Sequence, residues 1–150
     1  MALKIVILED NQDRQAVMAD CLADRLYQYE TRFFKTSSEI IQFLEINLSD
    51  TIVISLDHDL ELIPNKNGQT VDGGTGREVA NYLAGKSPVC PVVIHSTNSA
   101  AVLGMETVLQ ESHWKTKRVI PWGDLDWIRS QWFLAIRQVI LDAAQNVAKH

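Results

Sequence analysis

The sequence predicts an α/β fold, one domain built on a mainly parallel sheet with helices on both faces, and three observations carry that prediction. Short apolar runs alternate with stretches whose apolar residues recur at helical spacing, in the order βα repeated five times. The central run, Ile52-Val53-Ile54-Ser55-Leu56, is apolar almost throughout, as in a strand covered on both faces. Three runs end abruptly in polar groups: Leu3 to Leu8 at Glu9-Asp10, the central run at Asp57-His58-Asp59, and Val92-Val93-Ile94 at His95-Ser96-Thr97-Asn98. Open α/β sheets bind ligands at the carboxyl ends of their strands, so these ends are where chemistry is expected.

The elements follow in order. After the first strand, Asn11 or Asp10 caps a helix with Met18, Leu22 and Leu26 on its buried stripe. A short strand at Thr31 to Phe34 precedes Thr36-Ser37-Ser38-Glu39, which has capping-box spacing and opens a helix buried through Ile40, Ile41, Leu44 and Leu48. The central strand runs into a long polar loop, 61–74, where about 2–6 residues would suffice, so a lid or binding loop over the strand ends is expected. Thr75-Gly76-Arg77-Glu78 opens a helix that packs through Val79 and Leu83 and stops at Gly85. Asn98 or Ser99 caps a fourth helix carrying Val102, Met105 and Leu109. Arg118 to Trp122 reads as a fifth strand, and a long terminal helix capped by Asp124 carries Leu125, Ile128, Trp132, Ile136 and Ile140. Trp122, Trp127 and Trp132 read as packing residues rather than a stacking platform.

Composition narrows the function classes. A chain of 150 residues suits a single domain spanning 1–150, and a net charge of -5 argues against a duplex nucleic-acid partner, which needs a concentrated basic face. The two cysteines, Cys21 and Cys90, do not form a secreted disulfide framework, so a reduced, cytoplasmic setting is expected. No run approaches ~18 uninterrupted apolar residues, so no membrane partner is expected.

The polar strand ends carry the candidate chemistry. Carboxylates on neighbouring strand ends repel one another, by about 1–4 kcal/mol for a pair at ~4 Å, and a divalent cation relieves that repulsion. Glu9, Asp10, Asp57 and Asp59 offer the oxygens that suit Mg²⁺, or Mn²⁺ or Zn²⁺ if His58 or His95 joins them; the bland alternative is solvated acids capping strand and helix ends. His58 and His95 could move protons near neutral pH, although His95, after three β-branched residues, also reads as a buried structural histidine. His113 and His150 read as surface residues. Ser96, Thr97 and Asn98 stand at a helix start, where free N–H groups favour phosphate and where ordinary N-capping explains them equally well. Gly74 and Thr75, at another helix start, could cradle phosphate or simply permit a turn.

Five βα units, Glu9-Asp10 closing the first strand and Asp57 closing the third resemble the receiver domain of bacterial response regulators over nearly the whole chain. The resemblance implies a receiver/flavodoxin-like, doubly wound, five-stranded parallel sheet of order 2-1-3-4-5. It also implies Glu9 and Asp10 as the acidic metal-binding pair, Asp57 as phosphoacceptor and Ser96 as the hydroxyl residue after the fourth strand. The fifth strand departs from the pattern, with Ile120 where receivers place a lysine before proline. Leu56-Asp57-His58-Asp59-Leu60 together with His95-Ser96-Thr97-Asn98 is similar to a divergent branch, the cyclic-phosphate processing receiver domains. That branch implies metal-dependent binding or hydrolysis of a cyclic phosphate, with a phosphate-bearing small molecule or RNA end as partner and a homodimer compatible. The alternatives are a phosphoacceptor receiver in two-component signalling and a non-catalytic pseudo-receiver.

Overall fold

The computed structural model describes residues 2–60, 63–64 and 67–148. Its centre is β1 (Lys4–Leu8) beside β3 (Thr51–Leu56), flanked by β2 (Glu30–Phe34) on one side and, on the other, by β6 (Val92–His95) and β7 (Thr116–Val119). All four pairings in this sheet are parallel, and the order is β2-β1-β3-β6-β7. The remaining strands, β4 (Ile63–Pro64) and β5 (Thr70–Val71), make a separate antiparallel ribbon within the loop 61–74. With that ribbon set aside, the order is the expected 2-1-3-4-5. Residues 61, 62, 65 and 66 of the loop, and His150, lie outside the described residues.

The apolar strands are sorted by their period of two. Ile5, Ile7, Val53 and Val93 face α1 (Gln12–Arg25) and α5 (Phe133–Ala148) and form one core with Met18, Leu22, Trp127, Trp132 and Ile136. Val6, Leu8, Ile54, Leu56, Val92 and Ile94 face α2 (Ser37–Asn47), α3 (Gly76–Ala84) and α4 (Ser99–Glu111) and form a second core with Leu44, Leu83 and Met105. Burying both faces is why β1 and β3 read as continuous apolar runs.

Side-chain caps set the helix starts near the carboxyl edge of the sheet. Asn11 Oδ1 accepts from Arg14 N at 2.9 Å, Thr36 Oγ1 from Glu39 N at 3.2 Å and Asn98 Oδ1 from Ala101 N at 3.1 Å. At α3, Glu78 Oε1 accepts from Thr75 N at 3.1 Å while its other oxygen takes the Ser37 hydroxyl at 3.3 Å, tying α3 to α2. Gly76 is fixed by contact: a Cβ there would lie 2.1 Å from the Asp57 carbonyl oxygen. The start of α3 therefore sits directly against the end of β3.

The structure corrects the sequence at the fifth strand, which is shifted toward the N-terminus and stops at Val119 rather than continuing to Trp122. Pro121 lacks the N–H a ladder needs, Gly123 then turns at φ 67°, and Ile120 and Trp122 are left about half exposed. Trp122 is accordingly not a packing residue, whereas Trp127 and Trp132 are fully buried. The terminal helix is entered through a π-helical turn, Ile128–Trp132, directly continuous with α5. Among the described residues no helix is long and apolar enough to cross a membrane.

Candidate metal centre and its rim

Register decides which strand-end residues meet. Leu8 pairs with Leu56, and Leu56 with Ile94, so the next residue of each strand lines up in one row: Glu9, Asp57, His95. Alternation carries all three to the α1 and α5 side of the sheet, in line with Ile7, Ser55 and Val93. Glu9 and His95 are 0% exposed and Asp57 only 6%. One donor atom from each lies within 4.8 Å of the others.

Each member of the row is held. His58 N donates to Asp57 Oδ1 at 2.7 Å, and Asn11 N to Glu9 Oε2 at 3.1 Å. His95 stacks on Trp127, with ring centroids 6.0 Å apart, and its Nδ1 lies 2.7 Å from Ser55 Oγ. Ser55 Oγ also accepts from Trp132 Nε1 at 2.9 Å; since an indole N–H only donates, the serine proton is free to be given to His95 Nδ1. Nε2 of His95 then faces Glu9 Oε1 at 3.3 Å. That contact is not aligned as a hydrogen bond, and both atoms are buried without a hydrogen-bond partner.

Arg14 is the cation beside this row. Its Nη1 lies 3.6 Å from Glu9 Oε1 and 3.9 Å from Asp57 Oδ2, and its guanidinium carbon sits 5.3 Å from the centre of the Trp127 ring. Burial works against the Glu9 carboxylate, but His95, the Asn11 amide and Arg14 outweigh it and hold its pKa below the usual value. Asp57 goes the other way. Burial, with the Glu9 charge adding to it, raises its pKa to about 6 against the opposing pull of His95, the His58 amide and Arg14.

The other residues singled out in the sequence form an outer rim. His58 Nδ1 lies 2.8 Å from Asp59 Oδ1, and Asn98 Nδ2 donates to Asp59 Oδ2 at 3.4 Å. Asp59 also forms a β-bridge with Thr75, which brings the start of α3 to the same edge. Asp59 is thus a rim residue and not one of the three grouped donors, and Asp10, half-buried at the end of β1, also lies outside that group. Ser96 is buried on the opposite side of the strand from His95, near Val102, with its Oγ accepting from Asn98 N at 3.1 Å; Thr97 is exposed. Gly74, at φ +82°, gives its N–H to Asp72 Oδ1 at 2.9 Å, and a Cβ there would meet Ser37 Oγ at 2.0 Å. The N–H groups of Gly74 and Thr75 are therefore spent on their own chain.

The profile of the Cyclic-phosphate processing Receiver domain matches residues 4–111, from β1 through α4. The chain belongs to this family. Response-regulator structures share the fold of this receiver domain: the phosphorylated cyanobacterial phytochrome response regulator RcpA, with 21% identity over 93% of this chain and 91% of that one and a TM-score of 0.65, and the response regulator domain of Thermotoga maritima CheB, with 17% identity over 93% and 97% and a TM-score of 0.62. The Mn²⁺-bound form of response regulator Rcp1 has 20% identity over 87% of this chain and 94% of that one, with a TM-score of 0.59. No protein of curated function matches the sequence.

Two carboxylates and an imidazole, two of whose facing buried atoms make no hydrogen bond, fit a divalent cation in this receiver domain. The nitrogen donor extends the oxygen set that suits Mg²⁺ toward Mn²⁺ or Zn²⁺. Arg14 and Ser55 were not legible as site residues from spacing alone. A signal for Ser55 was nonetheless present: a lone hydroxyl in an apolar strand, two residues before Asp57 and so on the same face.

Proposed function

We propose that this receiver domain binds a cyclic phosphate in a divalent-metal-dependent manner and opens it by hydrolysis. The observation that carries the proposal is the buried row Glu9, Asp57 and His95, with Glu9 Oε1 and His95 Nε2 turned toward each other at 3.3 Å and neither making a hydrogen bond. These three residues would hold Mn²⁺ or Mg²⁺. Bound there, the ion would supply Lewis-acid neutralisation of charge on a phosphoryl oxygen.

Proton transfer falls to the rim. Asp59 Oδ1, 2.8 Å from His58 Nδ1, favours the tautomer with the proton on Nδ1 and leaves Nε2 free as a base. His58 Nε2 takes the proton of an attacking water as the new O–P bond forms, then returns it to the ring oxygen as the old P–O bond breaks. His95 is less suited to that role, because its Nδ1 is engaged by Ser55 and its Nε2 faces Glu9. The family's description favours this reading, and the Mn²⁺ held by the response regulator Rcp1 is a precedent on the same fold.

The test is incubation of 2′,3′-cyclic AMP with the wild type, Mn²⁺ and Mg²⁺, followed by ³¹P NMR. Appearance of a monoester that Glu9→Gln does not produce supports the proposal. Absence of turnover with either metal removes hydrolysis and leaves binding alone to be measured.

A further inference from the structure

The Arg14 guanidinium stands beside both carboxylates yet makes no hydrogen bond to either, at 3.6 Å from Glu9 Oε1 and 3.9 Å from Asp57 Oδ2. Among the described residues its side chain has those two ion pairs and the Trp127 face, and nothing else. A guanidinium has five N–H donors, so this cation holds its charge at the row while its donors stay unspent. Its side chain is 29% exposed, so those donors are within reach of a ligand. Its guanidinium carbon lies over the Trp127 ring, 5.3 Å from the centroid, a cation–π contact that spends none of the N–H donors a bidentate contact to phosphate needs. No lysine performs that task from the end of β7, where Ile120 precedes Pro121 and Arg118 pairs with Glu106.

We propose that Arg14 has two roles in sequence: resident counter-ion of Glu9 and Asp57 while no metal is bound, and phosphate-binding residue once a divalent cation neutralises those carboxylates. This rests on the metal-dependent reading above and adds to it a prediction of opposite sign for two ligands. Arg14 and a divalent cation compete for the same negative charge, so removing the arginine charge strengthens metal binding. The same change weakens binding of an anion. A residue that merely braced α1 against Trp127 would weaken both.

The experiment is isothermal titration of wild type, Arg14→Gln, Arg14→Lys and Glu9→Gln, first with Mn²⁺ alone and then with inorganic phosphate at saturating Mn²⁺. Removing one charge near 4 Å from two carboxylates should tighten Mn²⁺ binding by about tenfold or more in Arg14→Gln. Phosphate should bind that variant about tenfold more weakly and Arg14→Lys in between, because lysine keeps the charge and loses the fork. Equal Mn²⁺ affinity in wild type and Arg14→Gln overturns the counter-ion role while leaving the metal site intact, and unchanged phosphate affinity overturns the anion role. If neither wild type nor Arg14→Gln binds Mn²⁺, or if Glu9→Gln binds it as well as wild type does, the metal reading itself falls and this inference with it. Thermal melts of all four proteins confirm that each is folded at the temperature of titration.

Discussion

The inner row and the outer rim sit at the same edge of the sheet and are built by different means. Glu9, Asp57 and His95 are aligned by the registers of β1, β3 and β6, buried, and braced by Ser55, Trp127 and Trp132. His58, Asp59, Thr75 and Asn98 come from two loop ends and two helix starts, and are half-buried or exposed. Positions set by a parallel ladder cannot shift without moving the sheet, so the inner row holds a fixed geometry at a cost in desolvated charge. The rim is held by a few exposed hydrogen bonds and is freer to move. Under the proposed function, a rigid ion cradle below and an adaptable proton-transfer group above would divide the work of phosphoester opening between the two.

The largest expected effect separates them by chemistry. His58→Ala should slow opening of 2′,3′-cyclic AMP by about 10²–10⁴-fold, as loss of a positioned base does, with little change in melting temperature because the side chain is partly exposed. Asp59→Asn should follow in the same direction with a smaller loss. If His95→Ala, folded, eliminates turnover while His58→Ala leaves it intact, the assignment of roles between row and rim is reversed.

The next effect is a stability change confined to the row. Burial raises the Asp57 pKa from 3.8 to about 6, so the folded protein binds that proton more tightly than the unfolded chain does. The Asp57 contribution is thus most favourable below the unfolded value and is lost as pH rises through about 6, a change of ~3 kcal/mol for a shift of this size. In EDTA at pH 7.5, Asp57→Asn should therefore melt above the wild type, and near pH 4 the two should converge. A variant less stable than wild type at pH 7.5 would mean that the ionised Asp57 is already well compensated. Mn²⁺ at about 1,000 times its Kd should reverse the order, because it adds ~4.1 kcal/mol to the wild type while Asp57→Asn should gain little. Equal shifts in both proteins would place the bound metal elsewhere.

Much of this arrangement is legible in the sequence. The apolar runs ending in Glu9-Asp10, Asp57-His58-Asp59 and His95-Ser96 announce which edge of the sheet carries the polar groups; Thr36 caps as its spacing predicts, and the structure selects Asn11 over Asp10 and Asn98 over Ser99. What was not readable was which residue of each strand end turns inward. That depends on register between strands distant in sequence, and a one-residue slip would have grouped Asp10, His58 and Ser96 instead. Arg14 was hidden for a related reason: its role arises from the approach of α1 to Trp127, at the far end of the chain. The overlong fifth strand came from reading apolar content through Pro121, where the backbone cannot continue the ladder.

The smallest effect tests whether the row is braced from below. Ser55 joins Trp132 Nε1, at 2.9 Å, to His95 Nδ1, at 2.7 Å, and all three groups are fully buried. In Ser55→Ala the indole N–H and the imidazole Nδ1 both lose their partner, a penalty of about 1–3 kcal/mol for buried groups left unsatisfied. Cysteine, nearly isosteric but a weak donor and acceptor, should recover only part of that loss. The tautomer of His95 should respond as well, since nothing then favours the proton on Nε2 over Nδ1 apart from Glu9. Nitrogen-15 shifts of the His95 ring in EDTA report this directly: in metal-free wild type the protonated nitrogen should be Nε2, and in metal-free Ser55→Ala the two forms should mix. An unchanged tautomer in a destabilised Ser55→Ala would mean that Glu9 alone orients the ring and that Ser55 serves packing; a change in both makes Ser55 the residue through which the core of the sheet fixes the orientation of a candidate metal ligand.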